Sequence, residues 1–177
     1  MPTAHGTLDW CPLTAHLDLV APTVAAVASQ VPQALVAAID PDLADTAAFC
    51  AAYDVALEAS ANCVVVAGRR GGATTYAAVM VLATDRADIN GVVRRHLDVR
   101  KISFAPMAEA VALTGMEYGG ITPVGLPRNW PVLVDAGVVA AGPVVIGSGL
   151  RSSKLLIDGA DLVALGGIVL PLTLPLR

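Results

Sequence analysis

The chain has 177 residues, 55% of them hydrophobic but only 4% aromatic, and a net charge of −4 at neutral pH. Such a length suits one domain with one core, packed from Ala, Val, Leu and Ile, and the acidic balance excludes a broad phosphate-neutralising surface and with it an expectation of DNA binding. The mean hydropathy of +0.67 raises the question of a membrane span of about 20 apolar residues, but Pro22, Gln30, Pro32 and Gln33 break Val20–Ile39, and the tail Leu162–Leu176 is too short and carries Pro171 and Pro175.

In chain order, Met1 to Trp10 contains neither Lys nor Arg ahead of an apolar run, so no secretory signal is expected and the cytoplasm is the expected compartment. Leu17, Val20, Val24 and Val27 recur at spacings of three and four, which predicts an amphipathic helix over Thr14–Ser29 despite Pro22. Residues 1–30 thus read as a helical extension of the domain. Ala34–Ile39 reads as a strand ended by Asp40-Pro41, and Leu43–Tyr53 as a helix capped by Asp42 or Asp45. Ala61–Ala67 and Tyr76–Ala83 are apolar, β-branched runs joined by a turn-rich loop over 68–75, a hairpin pattern.

Asp88–Leu97 reads as a helix, with Asp88 at its start and Arg94, Arg95 and His96 in its last turn, where they complement the helix dipole. A strand at Lys101–Phe104 and a helix at Met107–Thr114, ended by Gly115, follow. Tyr118–Asn129 is a Gly/Pro-rich loop. Strands are expected at Val132–Val134, Val144–Ile146 and Leu155–Ile157, then a helix at Asp158–Leu165 and an apolar tail that covers the core or meets another subunit. The order predicts a single compact α/β (α+β) domain over 1–177, built on a mixed, barrel-like sheet with surrounding helices. No repeat, low-complexity tract or linker interrupts it.

General catalytic signatures are absent: no GxGxxG follows a strand, and there is no P-loop, GxSxG or HExxH. His5, His16 and His96 are scattered. Cys11, Cys50 and Cys63 form an odd set without CxxC spacing, so they read as buried free thiols, and neither a metal nor a cofactor is expected. The segment that stands out is Tyr118-Gly-Gly-Ile-Thr-Pro-Val-Gly-Leu-Pro127. Glycine allows close ligand approach and proline stiffens the loop, so its amides could be held toward a carbonyl or oxyanion. Composition alone fits a structural crossover equally well.

Several short motifs occur in a telling order: Val64-Val65-Val66, Asp88-Ile89-Asn90-Gly91, Leu113-Thr114-Gly115, Gly120-Ile121-Thr122-Pro123-Val124-Gly125, Pro131-Val132-Leu133-Val134-Asp135 and Val145-Ile146-Gly147-Ser148-Gly149. On these the chain resembles the YbaK/ProX family of aminoacyl-tRNA editing and prolyl-tRNA synthetase-associated domains, over about two-thirds of its length. Asp45-Thr46-Ala47-Ala48-Phe49 extends the likeness weakly toward the N-terminus.

The resemblance implies hydrolysis, in trans, of the ester joining a small, wrong amino acid to tRNA, because a synthetase pocket rejects near-isosteres poorly and a second site must sieve them. It implies that the substrate contributes a terminal-ribose hydroxyl, that the loop Gly119, Gly120, Ile121, Thr122 and Pro123 positions the ester carbonyl, and that Gly125, Asp135, Gly147 and Ser148 border the substrate. Asp135 also reads as a strand-end or N-cap carboxylate, and Ser148 as a turn residue rather than a nucleophile. Mischarged tRNA is the implied partner, bound weakly by the chain alone and with a synthetase lending affinity; Arg94, Arg95, Arg100 and Lys101 are candidates for its phosphates.

One departure matters. Where the family carries a lysine, Asn62 stands here, offering neutral amide bonds in place of a charge. Lys101 and Lys154 are the only lysines, and neither is near Asn62 in sequence; Arg69, Arg70 or Arg128 could stand in through space. The alternative reading is therefore a non-catalytic protein that keeps the pocket for an aminoacyl or nucleotide-like ligand.

Overall fold

The computed structural model describes residues 1–174, which hold nine strands and six short α-helices joined by 3-10 turns, a π-turn and loops. The strands are β1 (Cys11–Pro12), β2 (Leu35–Ala38), β3 (Ala61–Arg70), β4 (Ala73–Leu82), β5 (Lys101–Phe104), β6 (Val132–Asp135), β7 (Pro143–Gly147), β8 (Ser153–Asp158) and β9 (Ile168–Leu170). The helices are α1 (Pro22–Ala25), α2 (Thr46–Tyr53), α3 (Arg94–His96), α4 (Met107–Thr114), α5 (Ala136–Ala140) and α6 (Asp161–Ala164).

The expected barrel is not formed. The strands divide into an antiparallel sheet of order β1-β2-β8-β7 and a mixed sheet of order β5-β3-β4-β6-β9, in which β6 runs parallel to both β4 and β9. A single bridge, Ser60 to Val145, joins them. The far edges, β1 and β9, do not pair, so the sheets do not close; β5 pairs with β3 only from Val66 onward, so the first residues of β3 have no full partner on that side.

Alternation along the strands fixes what packs where. Leu155 and Ile157 of β8, Ile146 of β7 and Val36 of β2 meet Met80 and Val134 of the second sheet in the central core. Leu156 and Val145 face the other way, onto Phe49 and Cys50 of α2. Val66, Ala77, Val79, Val81 and Leu133 form the outer face of the mixed sheet, covered by Val93 and Leu172. No helix among the described residues is long and apolar enough to cross a membrane.

Several elements differ from expectation for local reasons. Thr14–Ser29 is not one helix: it is a series of 3-10 turns around α1, which starts at Pro22 because proline lacks the amide a continuing helix would use. Its apolar residues still reach the core, with Val20, Val24 and Ala28 buried, while Leu17 is exposed. The hairpin turn is shorter than the 68–75 loop, since pairing continues to Arg70 opposite Ala73 and Gly71-Gly72 supplies both positive φ angles of a two-residue turn. Asp88–Leu97 opens with a π-turn, Ile89–Val93, because the Asp88 carboxylate accepts from the Gly91 and Val92 amides and widens the first turn. The helix expected from Asp158 begins at Asp161, because Asp158 is still paired with Pro143 at the end of β8.

Asp45, not Asp42, caps α2, accepting from the Ala47 and Ala48 amides. Of the thiols, Cys50 is buried whereas Cys11 and Cys63 are half-buried; all three are free. The tail contributes β9 and the buried Leu172, with Ile168 and Val169 exposed, and its residues 175–176 lie outside those described.

Candidate functional site

The gap along β3 is occupied by a cavity of about 430 Å³. One wall is Ser60 to Val65; facing it are Val145, Ile146 and Gly147 of β7 and Lys154 of β8. The start of α2 (Ala44, Asp45, Thr46), the end of β5 (Phe104, Ala105), Ala110 of α4 and the loop residues Tyr118, Gly119 and Ile121 complete it. The cavity thus lies at the seam between the sheets. Its size falls toward the lower end of small-molecule pockets, which span roughly 300–1,000 Å³.

The loop is pinned from behind. Gly120 donates its amide to the Glu117 carbonyl at 3.0 Å and its own carbonyl accepts from Gly149 at 2.7 Å. The fit is close enough that a Cβ on Gly147 would lie 2.5 Å from the Gly120 carbonyl oxygen, and one on Gly120 would lie 2.5 Å from that of Leu150. Only glycine allows these backbones to touch. Among the described residues the Gly119 and Ile121 amides donate no bond within the chain, and both residues line the cavity. Thr122 is fully buried with its hydroxyl unpartnered, outside the cavity wall, as is Pro123.

Asn62 lines the cavity, and its Oδ1 accepts from Thr46 Oγ1 at 2.7 Å. That bond leaves the Nδ2 hydrogens for a ligand. A cation lines the same cavity as Asn62, in a residue far from it in sequence. Strand alternation puts Lys154 on the α2 side of β8, where its ammonium donates to the Ala44 carbonyl at 3.1 Å and lies 5.1 Å from the centre of the Phe49 ring. The side chain is buried, reaches the cavity and forms no ion pair among the described residues. Burial pulls its pKa below the usual lysine value; Arg151 adds to this, while Cys50 and Asp45 oppose it. Cys63, on the same wall as Asn62, has its pKa pushed up to about 12 by burial and stays a thiol at neutral pH.

The arginines do not fill the Asn62 position. Arg69 and Arg70 sit at the far end of the β3–β4 hairpin, and neither they nor Arg128 line the cavity. Gly147 lines the cavity but Gly125, Asp135 and Ser148 do not. Gly125 lies against the Thr23 carbonyl. Asp135 is buried at the end of β6 and accepts from the Gly137 and Leu172 amides, both at 2.8 Å. The Ser148 hydroxyl donates to the carbonyls of Leu150 or Ser153 and accepts from Ser153 Oγ at 2.6 Å, so it braces the turn behind the loop. No histidine reaches the cavity. The wall therefore offers neutral amide donors, one ammonium, the hydroxyls of Thr46, Ser60 and Tyr118, and the Asp45 carboxylate that caps α2.

Comparison with known proteins places this geometry. Residues 40–165 match the family described as the aminoacyl-tRNA editing domain. The fold is similar to that of a protein described as a candidate trans-editing enzyme for prolyl-tRNA synthetase, at 20% identity over 88% of this chain and 99% of that one, with a TM-score of 0.74. A hypothetical protein is similar at 21% identity, 84% and 96% coverage and a TM-score of 0.74. A scaffold protein from epitope-grafting design is similar at 19% identity, 87% and 99% coverage and a TM-score of 0.73. No curated protein sequence matches the chain.

Proposed function

The chain belongs to the aminoacyl-tRNA editing domain family, and we propose that it acts in trans as a deacylase, hydrolysing the ester of tRNA mischarged with a small amino acid. The observation that carries this reading is the seam cavity, where Asn62, Gly119, Ile121 and Lys154 line one space of about 430 Å³ and the Gly119 and Ile121 amides donate no bond among the described residues. Those are donors, which suit an ester carbonyl whose oxygen gains negative charge as it is attacked.

In this mechanism water attacks the ester carbon, oriented by the neighbouring hydroxyl of the substrate's terminal ribose. The carbonyl oxygen carries the developing charge toward the Gly119 and Ile121 amides and Lys154. The bond from the carbonyl carbon to the ribose oxygen then breaks, one proton of the attacking water passes to that oxygen and the other to solvent, and the amino acid leaves as its carboxylate. Cys63 takes no nucleophilic part, because a thiol with a pKa near 12 is almost wholly protonated at neutral pH. Asn62 holds the substrate through its free amide hydrogens. Ile121, Val145 and Ile146 limit the size of the side chain admitted. Gly120, Thr122, Pro123, Gly125 and Ser148 act from behind by fixing the loop.

The test is a deacylation panel of tRNAs carrying small amino acids, comparing wild type with Asn62→Lys and Gly120→Ala, with circular dichroism to verify folding. Turnover of at least one ester, reduced about 100-fold or more in folded Gly120→Ala, is expected. A wild type inactive on every ester, with activity gained in Asn62→Lys, would establish the non-catalytic binder instead. That second reading draws on the absence of a histidine base from the cavity wall.

A further inference from the structure

The end of β3 remote from the cavity carries a second concave feature. Arg69, Arg70, Arg100 and Lys101 surround a groove of about 350 Å³, with Gly71, Gly72 and Thr74 completing it. The chain is acidic overall, so this grouping is a local choice rather than general basicity. Arg70 is held in an ion pair with Asp98, whereas Arg69, Arg100 and Lys101 are exposed and form no ion pair among the described residues. Arg69 and Lys101 are direct partners in the β3–β5 register. Like charges placed directly opposite on neighbouring strands destabilise a sheet. An anion bound between them removes that penalty.

The geometry also says how large the ligand must be. Asn62 at the cavity and Arg69 at the groove are seven residues apart on one strand, roughly 23 Å at the usual rise. An aminoacylated nucleoside seated in the cavity cannot reach that far, but a polynucleotide can. At the turn, a side chain added to Gly71 or Gly72 would meet nothing within 4 Å, so the approach to the groove is open. Arg94 and Arg95, grouped with Arg100 and Lys101 on sequence grounds, do not line it.

We propose that the groove of Arg69, Arg70, Arg100 and Lys101 binds the sugar–phosphate backbone of the tRNA acceptor arm, several nucleotides from the ester held in the cavity. This inference rests on the editing reading for the identity of the polynucleotide. The groove adds affinity for the tRNA and takes no part in the reaction.

The experiment compares wild type, the double variant Arg69→Gln/Lys101→Gln and the control Arg94→Gln/Arg95→Gln. Two substrates carry the same small amino acid, one as aminoacyl-tRNA and one as the ester of adenosine. The groove variant is expected to raise KM on the aminoacyl-tRNA by about tenfold with kcat unchanged. Hydrolysis of the adenosine ester stays as in wild type. The slope of log affinity against log salt, measured with unacylated total tRNA, becomes shallower by roughly 1.4 to 1.8, the share of two phosphate contacts. No change on tRNA, equal loss on both substrates, or equal loss in the Arg94/Arg95 control overturns the inference. If wild type hydrolyses neither ester, the proposed function fails separately, and the salt slope still decides whether the groove holds a phosphate backbone.

Discussion

Replacing Lys154 by methionine separates what the ammonium contributes to folding from what it contributes to the cavity. The substitution removes a charged hydrogen bond to the Ala44 carbonyl and the cation from the Phe49 ring, worth about 1.5–3 kcal/mol and about 0.5–2 kcal/mol respectively. Against this, it relieves the cost of holding an ammonium that is only 8% exposed without a counter-ion, which is itself several kcal/mol. Methionine keeps an unbranched chain against Phe49. The opposing terms are of similar size, so stability should change by no more than about 2 kcal/mol in either direction. Activity should change far more, because a charged donor to the developing oxyanion contributes roughly 3–4 kcal/mol, a 100- to 1,000-fold loss in kcat/KM. Single-turnover deacylation and urea unfolding on the same samples measure both. A folded Lys154→Met variant within tenfold of wild type would refute the catalytic part of the reasoning.

The same pair tests the protonation state. Because burial depresses the folded pKa of Lys154 below the ordinary 10.5, the unfolded chain holds more protons between those two values, and stability rises with pH across that window. The unfolding free energy of wild type minus that of Lys154→Met should therefore increase as pH is raised from below the folded pKa toward 10.5. A flat or falling difference would contradict the depressed pKa.

Two further substitutions probe the walls. Gly147→Ala places a methyl 2.5 Å from the Gly120 carbonyl oxygen and 2.7 Å from that of Ile121; the loop must move, with an expected loss of about 100-fold in kcat/KM and about 1–3 kcal/mol in stability, read by the same two assays. Asp135→Ala strips the Gly137 and Leu172 amides of their acceptor and should cost about 2–4 kcal/mol, while activity per folded molecule stays unchanged, since the carboxylate lies outside the cavity. A fall in activity with stability retained would instead assign Asp135 to the substrate.

What could be read in the sequence follows from how local each signal is. The β3–β4 hairpin was legible because β-branched runs flanking turn residues need no distant partner to be recognised. The loop at Gly119–Pro123 was legible for a similar reason, since glycine and proline announce backbone geometry by themselves. The apolar spacing over Thr14–Ser29 misled, because Pro22 interrupts the helix and the burial of Val20, Val24 and Ala28 is satisfied by short turns instead. Lys154 was illegible as a cavity residue. Its place beside Asn62 depends on β8 pairing with β7 and on α2 closing over both, and neither contact leaves a mark in the residues around it. Asp135 offered two readings, and its carboxylate takes up the capping one.

The seam position of the cavity carries a consequence for how such a site changes over time. Because one wall belongs to the mixed sheet and the other to the antiparallel sheet, the width of the opening is the spacing between two bodies, and that spacing is set by interior contacts such as Met80 and Val134 against Ile146 and Leu155. Exchanging a larger aliphatic residue for a smaller one there removes a spacer between the walls, so the width of the cavity can be retuned from the interior while the residues that line it stay as they are.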